Sequence, residues 1–345
     1  MRLFLSVVFV LILIVSLAAG GWFALYVFTP SQAVEDQVVH IPKGAGVRQI
    51  QGLLAEEGII VDDIRFLALA RLFHVIDHPP RLRAGEFKVS PGLNPLEVIQ
   101  YLDTAQPVRH RVTIPEGKTM EEIAAIFGED NWVDPGVFLG LCRDGELMKE
   151  LGIVRVQSLE GYLFPETYTL VRGEVDERKL ITMMVQRFFT VWGEVAATTQ
   201  GGAQKSPSGR KYTRHQLLTL ASIVEKETGS SGERGVIAGV FYNRLRKGMR
   251  LQSDPTTIYG IQNFNGNLTK ADLKQRTPYN TYVISGLPAG PICNPGAAAI
   301  GAVMSPAKVS YLYFVSRNDG SHKFSKTLKE HNQAVYTYQK LRKNR

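Results

Sequence analysis

Cysteine is nearly missing from this chain: its 345 residues hold two, Cys142 and Cys293, far apart in sequence. Neither stands in a Cys-x-x-Cys pair or among histidines, so no metal site is expected. An extracytoplasmic address would permit a disulfide between them, and two buried thiols are the other reading. Long runs of like charge are missing too. The net charge of +8 is spread along the chain, and the cluster Lys340, Arg342, Lys343 and Arg345 reads as the cap of a terminal helix. Nucleic acid is therefore not an expected partner, while an anionic lipid or an anionic polymer suits a mild positive excess.

Charge is absent altogether from Leu3 to Phe28. A spanning helix needs about 20 apolar residues, so this run is expected to cross a membrane. A cleaved signal peptide, with Ser16-Leu17-Ala18 as its small-residue site, fits less well, because the apolar stretch continues through Trp22, Phe23, Leu25, Tyr26 and Phe28. Arg2 precedes the run and Glu35 and Asp36 follow it. The positive-inside rule then leaves the short N-terminus in the cytoplasm and everything after the span outside it. Residues 1–29 are thus expected to form a single-pass anchor, and the length that remains suits roughly two domains.

Beyond a short polar linker a pattern recurs. Ile41-Pro42-Lys43-Gly44 is followed by Val47, Ile50, Leu53 and Leu54, and Ile114-Pro115-Glu116-Gly117 by Met120, Ile123, Ile126 and Phe127. The same spacing returns in Val89-Ser90-Pro91-Gly92 with Val98 and Leu102. Each copy predicts a short strand, a Pro/Gly turn and an amphipathic helix. Such units are similar to LysM-type modules, which bind N-acetylglucosamine-containing glycans; equally, a strand-helix unit can recur for packing alone.

From Gly128 to Ala196 the pattern is mainly helical, with helices expected over Pro135–Leu151 and Asp176–Val195. Between them, the aromatics and acids of Leu159 to Tyr168 suit either a groove wall for sugars or an ordered core loop. Thr198 to Tyr212 lacks any apolar period and reads as a mobile surface loop. A second long helix is expected over Glu233–Lys247. The segment Met249 to Asn280 is dense in Asn, Gln, Ser, Thr and Tyr, side chains that suit the hydroxyl and acetamido groups of a neutral polysaccharide, or simply a polar surface. Ala297 to Met304 predicts a short small-residue helix. Tyr311 to Ser316 and His322 to Phe324 predict a hairpin about Asn318-Asp319-Gly320, before a terminal helix. The expected class is α+β: an N-terminal membrane helix, a LysM-like strand-helix module with a helical connector over 38–175, and a mainly helical catalytic domain with a small β-hairpin over 176–345.

The stretch Leu220-Ala-Ser-Ile-Val-Glu-Lys-Glu-Thr228 offers a candidate general acid. In a helix, Glu227 continues the stripe of Leu220, Ile223 and Val224. A carboxyl set against apolar side chains loses solvation of its charged form, so its pKa rises and it can keep a proton to donate. Glutamates at a solvated helix edge, or paired with Lys226, Lys211 or Arg234, are the alternative.

Taken together, the sequence resembles the MltG/YceG-like family of endolytic murein transglycosylases. The resemblance rests on the apolar anchor, the Ile-Pro-x-Gly repeats, Glu160-Gly161-Tyr162-Leu163-Phe164-Pro165, the stretch ending Glu227-Thr228, Asn243-Arg244-Leu245, Leu251 to Thr256, Tyr279 to Tyr282, Gly286-Leu287-Pro288 and Asn294-Pro295-Gly296. Cys293 departs from it, standing where a small residue is more usual. The resemblance implies cleavage of the β-1,4 bond between N-acetylmuramic acid and N-acetylglucosamine within peptidoglycan strands, with formation of 1,6-anhydro ends. Glu227 would act as acid and then as base, with Glu225 and Asp254 as supporting groups and Gln252, Asn280 and Tyr282 touching substrate. No cofactor is implied. The partners implied are glycan strands, the inner membrane with the catalytic part in the periplasm, and peptidoglycan synthases. A non-catalytic peptidoglycan-binding scaffold is the alternative that the repeats would support. A pyridoxal-phosphate lyase would need a Schiff-base lysine, for which no recognisable setting exists.

Overall fold

The computed structural model describes residues 1–31, 33–75, 82–199, 209 and 211–340. Helix α1 (Arg2–Phe28) is long and apolar enough to cross a membrane. Among the described residues, the remainder mixes helices with three two-stranded sheets. The chain divides into two compact units, Met1–Val112 with Thr169–Asp176, and Thr113–Tyr168 with Glu177–Arg345.

In the first unit, β1 (Gln37–Ile41) pairs antiparallel with β2 (Gly85–Val89), Val39 opposite Phe87 and Ile41 opposite Gly85. Val39, Ile41, Phe87 and Val89 are buried on one face, the period-2 alternation expected of half-covered strands. They pack with Ile50 and Leu54 of α2 (Val47–Glu56), Phe66 and Leu69 of α3 (Ile64–Val75), and Val98, Ile99 and Leu102 of α4 (Pro95–Thr104). Each such side chain contributes about 1.5–3 kcal/mol of burial. Tyr26 and Val27, from the last turn of α1, belong to the same cluster.

The recurring unit is present as strand, turn and helix. Its three turn glycines, Gly44, Gly92 and Gly117, share a φ of 81°, 80° and 79°, the left-handed conformation that a side chain would resist. In the second and third copies the helix opens on a capping box, Asn94 with Glu97 and Thr119 with Glu122. The third copy, however, has its helix in the second unit. Its strand, β3 (His110–Thr113), pairs with β4 (Thr167–Leu170), and its helix α5 (Met120–Glu129) lies against α6 (Pro135–Leu141).

The single helix expected over Pro135–Leu151 is two. Asp134 caps α6 through Val137 N, and Asp144 caps α7 (Gly145–Glu150) through Leu147 N at 2.7 Å, so the side chain of Asp144 starts a new helix where a continuous one would pass. Helix α8 (Glu177–Thr198) follows as expected. The loop expected over 198–212 lies mostly outside the described residues. Helix α9 (Arg214–Glu227) opens on a capping box of Thr213 and Gln216 and is buried from Leu218 to Val224. Helices α10 (Arg234–Arg246), α11 (Asp254–Tyr259) and α12 (Ala297–Met304) pack on it, and α12 also meets α8. The expected hairpin is β5 (Tyr313–Ser316) with β6 (His322–Ser325), followed by α13 (Leu328–Val335). Both cysteines are free and buried; Cys293 Sγ lies 3.4 Å from Ser222 O.

Candidate active site

The apolar stripe of α9 is as the spacing predicts: Leu220, Ile223 and Val224 are buried, and Glu227 is the last residue of the helix. Thr228 explains the second half of the Glu-Thr pair. Its hydroxyl donates to Val224 O at 2.6 Å, satisfying a carbonyl that the helix end would leave open and stopping the helix at the carboxylate. Burial raises the pKa of Glu227 above the ordinary glutamate value; donation from Ser253 opposes the rise, the nearby charge of Asp254 adds to it, and His322 and Arg244 oppose it.

Ser253 Oγ donates to Glu227 Oε1 at 2.6 Å. Backbone geometry aims that hydroxyl. Gln252 sits at φ 50°, a left-handed conformation costing a residue with a side chain roughly 1–2 kcal/mol. Thr281 pins both sides of the kink, its carbonyl accepting from Gln252 N and its hydroxyl from Ser253 N. Ser253 then stands at the residue before α11, its hydroxyl left for Glu227, with Pro255 in the first turn of the helix. Tyr282 is half-buried and donates to Asp254 Oδ1 at 2.6 Å.

Of the three side chains expected to touch substrate, Gln252 is exposed beside Ser253 and Tyr282 lies one carboxylate away, but Asn280 is fully buried. Its amide is spent internally: Nδ2 donates to Gln275 O at 2.7 Å and also faces Asp272 O and Leu273 O, while Oδ1 accepts from Thr257 Oγ1 and Tyr282 N. Asn280 holds the loop in shape. Sequence reading could not tell an asparagine that binds sugar from one that binds backbone, because both need donors and acceptors together.

Glu225 is likewise committed. Oε1 accepts from Arg234 at 3.2 Å and Oε2 from Gly296 N at 3.0 Å, so it ties α10 and the Asn294-Pro295-Gly296 loop to α9. Glu116 lies 3.6 Å from the same Arg234, and burial together with the charge of Glu225 raises its pKa.

Two further side chains of the second unit, Arg244 and His322, lower the pKa of Glu227 without being expected to. Arg244 is buried, and its guanidinium is held by carbonyls, Nε to Leu312 O at 2.6 Å and Nη1 to Leu251 O at 2.7 Å, with the ring of Tyr313 at 5.3 Å. His322 is fixed by Glu233, which accepts from His322 N at 3.0 Å and meets Nδ1 at 2.7 Å.

Glu160 is the acid that sequence reading missed. It is buried, and its carboxylate faces Met120 N, Asn294 Nδ2 (2.9 Å) and Tyr259 Oη (2.9 Å). Burial pushes its pKa up to about 8. Asn294 extends the junction, accepting from Leu163 N and donating to Lys118 O. Of the two readings left open for Leu159 to Tyr168, the ordered core loop is the one found. Gly161 makes the junction possible: at φ 87° its missing side chain would stand 2.7 Å from Pro291.

The YceG-like family profile matches residues 39–337. The chain belongs to the YceG-like family. A relative from Bacillus subtilis (strain 168) named endolytic murein transglycosylase is 31% identical over 314 residues, 87% of this chain and 84% of the relative. A protein of the same name from Streptococcus pneumoniae serotype 2 is 28% identical; the match takes in 94% of this chain but 63% of that longer protein. The crystal structure of a YceG-like protein from Listeria monocytogenes is 30% identical, with a TM-score of 0.57, covering 87% of this chain and 99% of that one.

Proposed function

We propose that this YceG-like chain is an endolytic murein transglycosylase in which Glu227 is both acid and base. One observation carries the reading: a half-buried carboxyl at the end of α9, its pKa raised by burial, with one oxygen held by Ser253. With Oε1 fixed, Oε2 is left to carry the proton. Protonated Glu227 gives it to the glycosidic oxygen between N-acetylmuramic acid and N-acetylglucosamine as the C1–O bond breaks. The carboxylate then takes the proton of the muramyl 6-hydroxyl while that oxygen bonds to C1. The 1,6-anhydro ring closes, no water is consumed, and the acid returns to its starting state. A hydrolase would need a second carboxylate to activate water or to attack C1. Asp254 is instead engaged by Tyr282, and its charge favours the protonated form of Glu227.

Gln252 and Tyr282 are the side chains proposed to meet the glycan. The two strand-helix copies of the first unit are proposed as a LysM-like glycan-binding module. Helix α1 is proposed as an inner-membrane anchor that leaves both units in the periplasm, beside the synthases that make the strands. A reporter fused after Arg345 is then expected to be active only outside the cytoplasm.

The deciding experiment is mass spectrometry of purified peptidoglycan strands digested by the full chain. Internal cleavage with muramyl ends one water lighter than hydrolysis leaves is the expected product; reducing muramyl ends would recast the protein as a hydrolase, and no cleavage would leave the scaffold reading. Ser253→Ala is expected to lower kcat about 10-fold, the worth of one hydrogen bond to a charged group. Because donation from Ser253 favours the ionised form of Glu227, the fall of activity on the alkaline side should move to higher pH in this variant. An unmoved limb would mean that Ser253 only packs.

A further inference from the structure

Helix α3 is apolar on both sides, and only one side is covered. Phe66, Leu69 and Ala70 face the core of the first unit. Ile64, Ala68, Arg71, Leu72 and Val75 are exposed, Ile64 by 72%, Leu72 by 48% and Val75 by 77%. At 3.6 residues per turn these five fall within about 100° of one another, on a single outer face. Val61, exposed by 69%, continues that face just before the helix begins. A helix that is apolar all round in a soluble domain is normally buried all round, and a contiguous exposed patch of this kind marks a surface that something covers.

What covers it is indicated by where α3 starts. The 27 residues of α1 make a helix of about 40 Å, whereas the hydrocarbon of a bilayer is about 30 Å thick. Counting about 20 residues from Leu3 brings the hydrocarbon boundary to Trp22, and the last turn and a half stands among the lipid headgroups. Contacts at this level agree. The guanidinium of Arg65 lies 4.3 Å from the ring of Trp22 and 4.7 Å from that of Tyr26, and it donates to Trp22 O at 2.8 Å. A cation does not sit deep in hydrocarbon, and Trp and Tyr gather at its edge. Tyr26 Oη donates to Val61 O at 3.0 Å, which ties the first residue of the exposed face to the same turn. A crevice of about 660 Å³ opens there too, walled by Leu25, Tyr26, Ile60, Val61 and Arg65.

We infer that the outer face of α3 seats in the lipid leaflet through which α1 emerges, making the first unit a membrane-contacting body and not one hung on a free tether. This rests on α1 being an uncleaved anchor. The face has the makeup of an interfacial helix: aliphatic side chains in the centre and Arg71 within it to meet phosphate, while Arg65 at its edge is held by Asp63 and by Trp22 O. A seat of this kind would fix the height of the first unit above the bilayer, which an anchor alone leaves to its linker.

The two ideas separate in one experiment. The full chain is labelled with an environment-sensitive maleimide dye on Leu13→Cys, in the span, or on Leu72→Cys or Val75→Cys, on the face; Cys142 and Cys293 are buried and leave the introduced thiol as the reactive one. Each protein is reconstituted into phosphatidylcholine–phosphatidylglycerol vesicles with and without lipids carrying a quencher near the headgroup end of the acyl chain. Labels on the face are expected to lose about half or more of their emission, as an interfacial helix would, and the label in the span to be quenched when the quencher is placed deeper. Quenching in the span with none on the face would overturn the inference and leave the anchor standing. No quenching in the span would remove the anchor itself. Face labels shielded from lipid quencher and from aqueous iodide alike would assign the face to a protein, such as a second copy, and also overturn it. When Ile64→Glu and Val75→Glu are added, the label at residue 72 should regain its emission while the span label does not.

Discussion

Glu227→Gln is expected to cut the rate of strand cleavage by at least about 10²–10⁴-fold, the usual worth of a positioned acid–base group. The amide keeps the shape of the side chain and can still accept from Ser253, so the 2.6 Å contact survives in kind. It cannot give a proton to the glycosidic oxygen or take one from the 6-hydroxyl, and both steps pass through this one group. The variant should therefore remain folded and retain glycan while product formation disappears. Glu225→Gln should behave differently. It weakens the pair with Arg234, on a side chain turned towards the Gly296 loop, so the expected loss is in stability first. Full activity of Glu227→Gln would remove the acid from α9 altogether. A Glu225→Gln protein that is well folded yet inactive would move it two residues back.

Glu160→Gln is expected to flatten part of the dependence of stability on pH. The folded-state pKa of Glu160 is about 8, against an ordinary value of 4.5. Between those values the folded chain holds a proton that the unfolded chain has released, so stability is highest below about 4.5 and is lost as pH rises towards 8. The loss should be on the order of 3 kcal/mol, since a tenfold change in proton affinity is worth about 1.4 kcal/mol and the converging donors soften the charged state. Gln carries no proton to lose and can satisfy Asn294 and Met120 with its oxygen while its amide faces Tyr259. Thermal unfolding of the full chain in detergent, followed from pH 4.5 to 8, should show the wild type losing more Tm than the variant. Glu227 contributes a slope of the same sign in both proteins, so only their difference reports Glu160. Parallel curves would mean that Glu160 is ionised throughout, held so by its donors.

Local order was legible in the sequence. The charge-free run from Leu3 announced α1, and Ile-Pro-x-Gly announced a turn that only glycine enters easily, followed by a helix with its apolar face set by spacing. Helix α9, the small-residue helix α12 and the hairpin about Asn318-Asp319-Gly320 follow from periodicities of 3.6 and 2 and from turn residues, all of them properties of neighbours along the chain. Position on the stripe of α9 made Glu227 one candidate among the glutamates of that helix, and the resemblance made it the expected acid.

Tertiary structure decided what those residues meet. Ser253 lies far along the chain from Glu227, and no periodicity links the two; a strained Gln252 pinned by Thr281 brings them to 2.6 Å. The same folding turned Asn280 inward, because a loop without regular structure must satisfy its own carbonyls and an asparagine amide does so from within. Glu160 became a buried acid only when α5, Tyr259 and Asn294 closed over it. What a side chain is was written in the sequence, but its solvation, and with it the pKa of an acid, depends on every segment that excludes water from it, and those segments come from all along the chain.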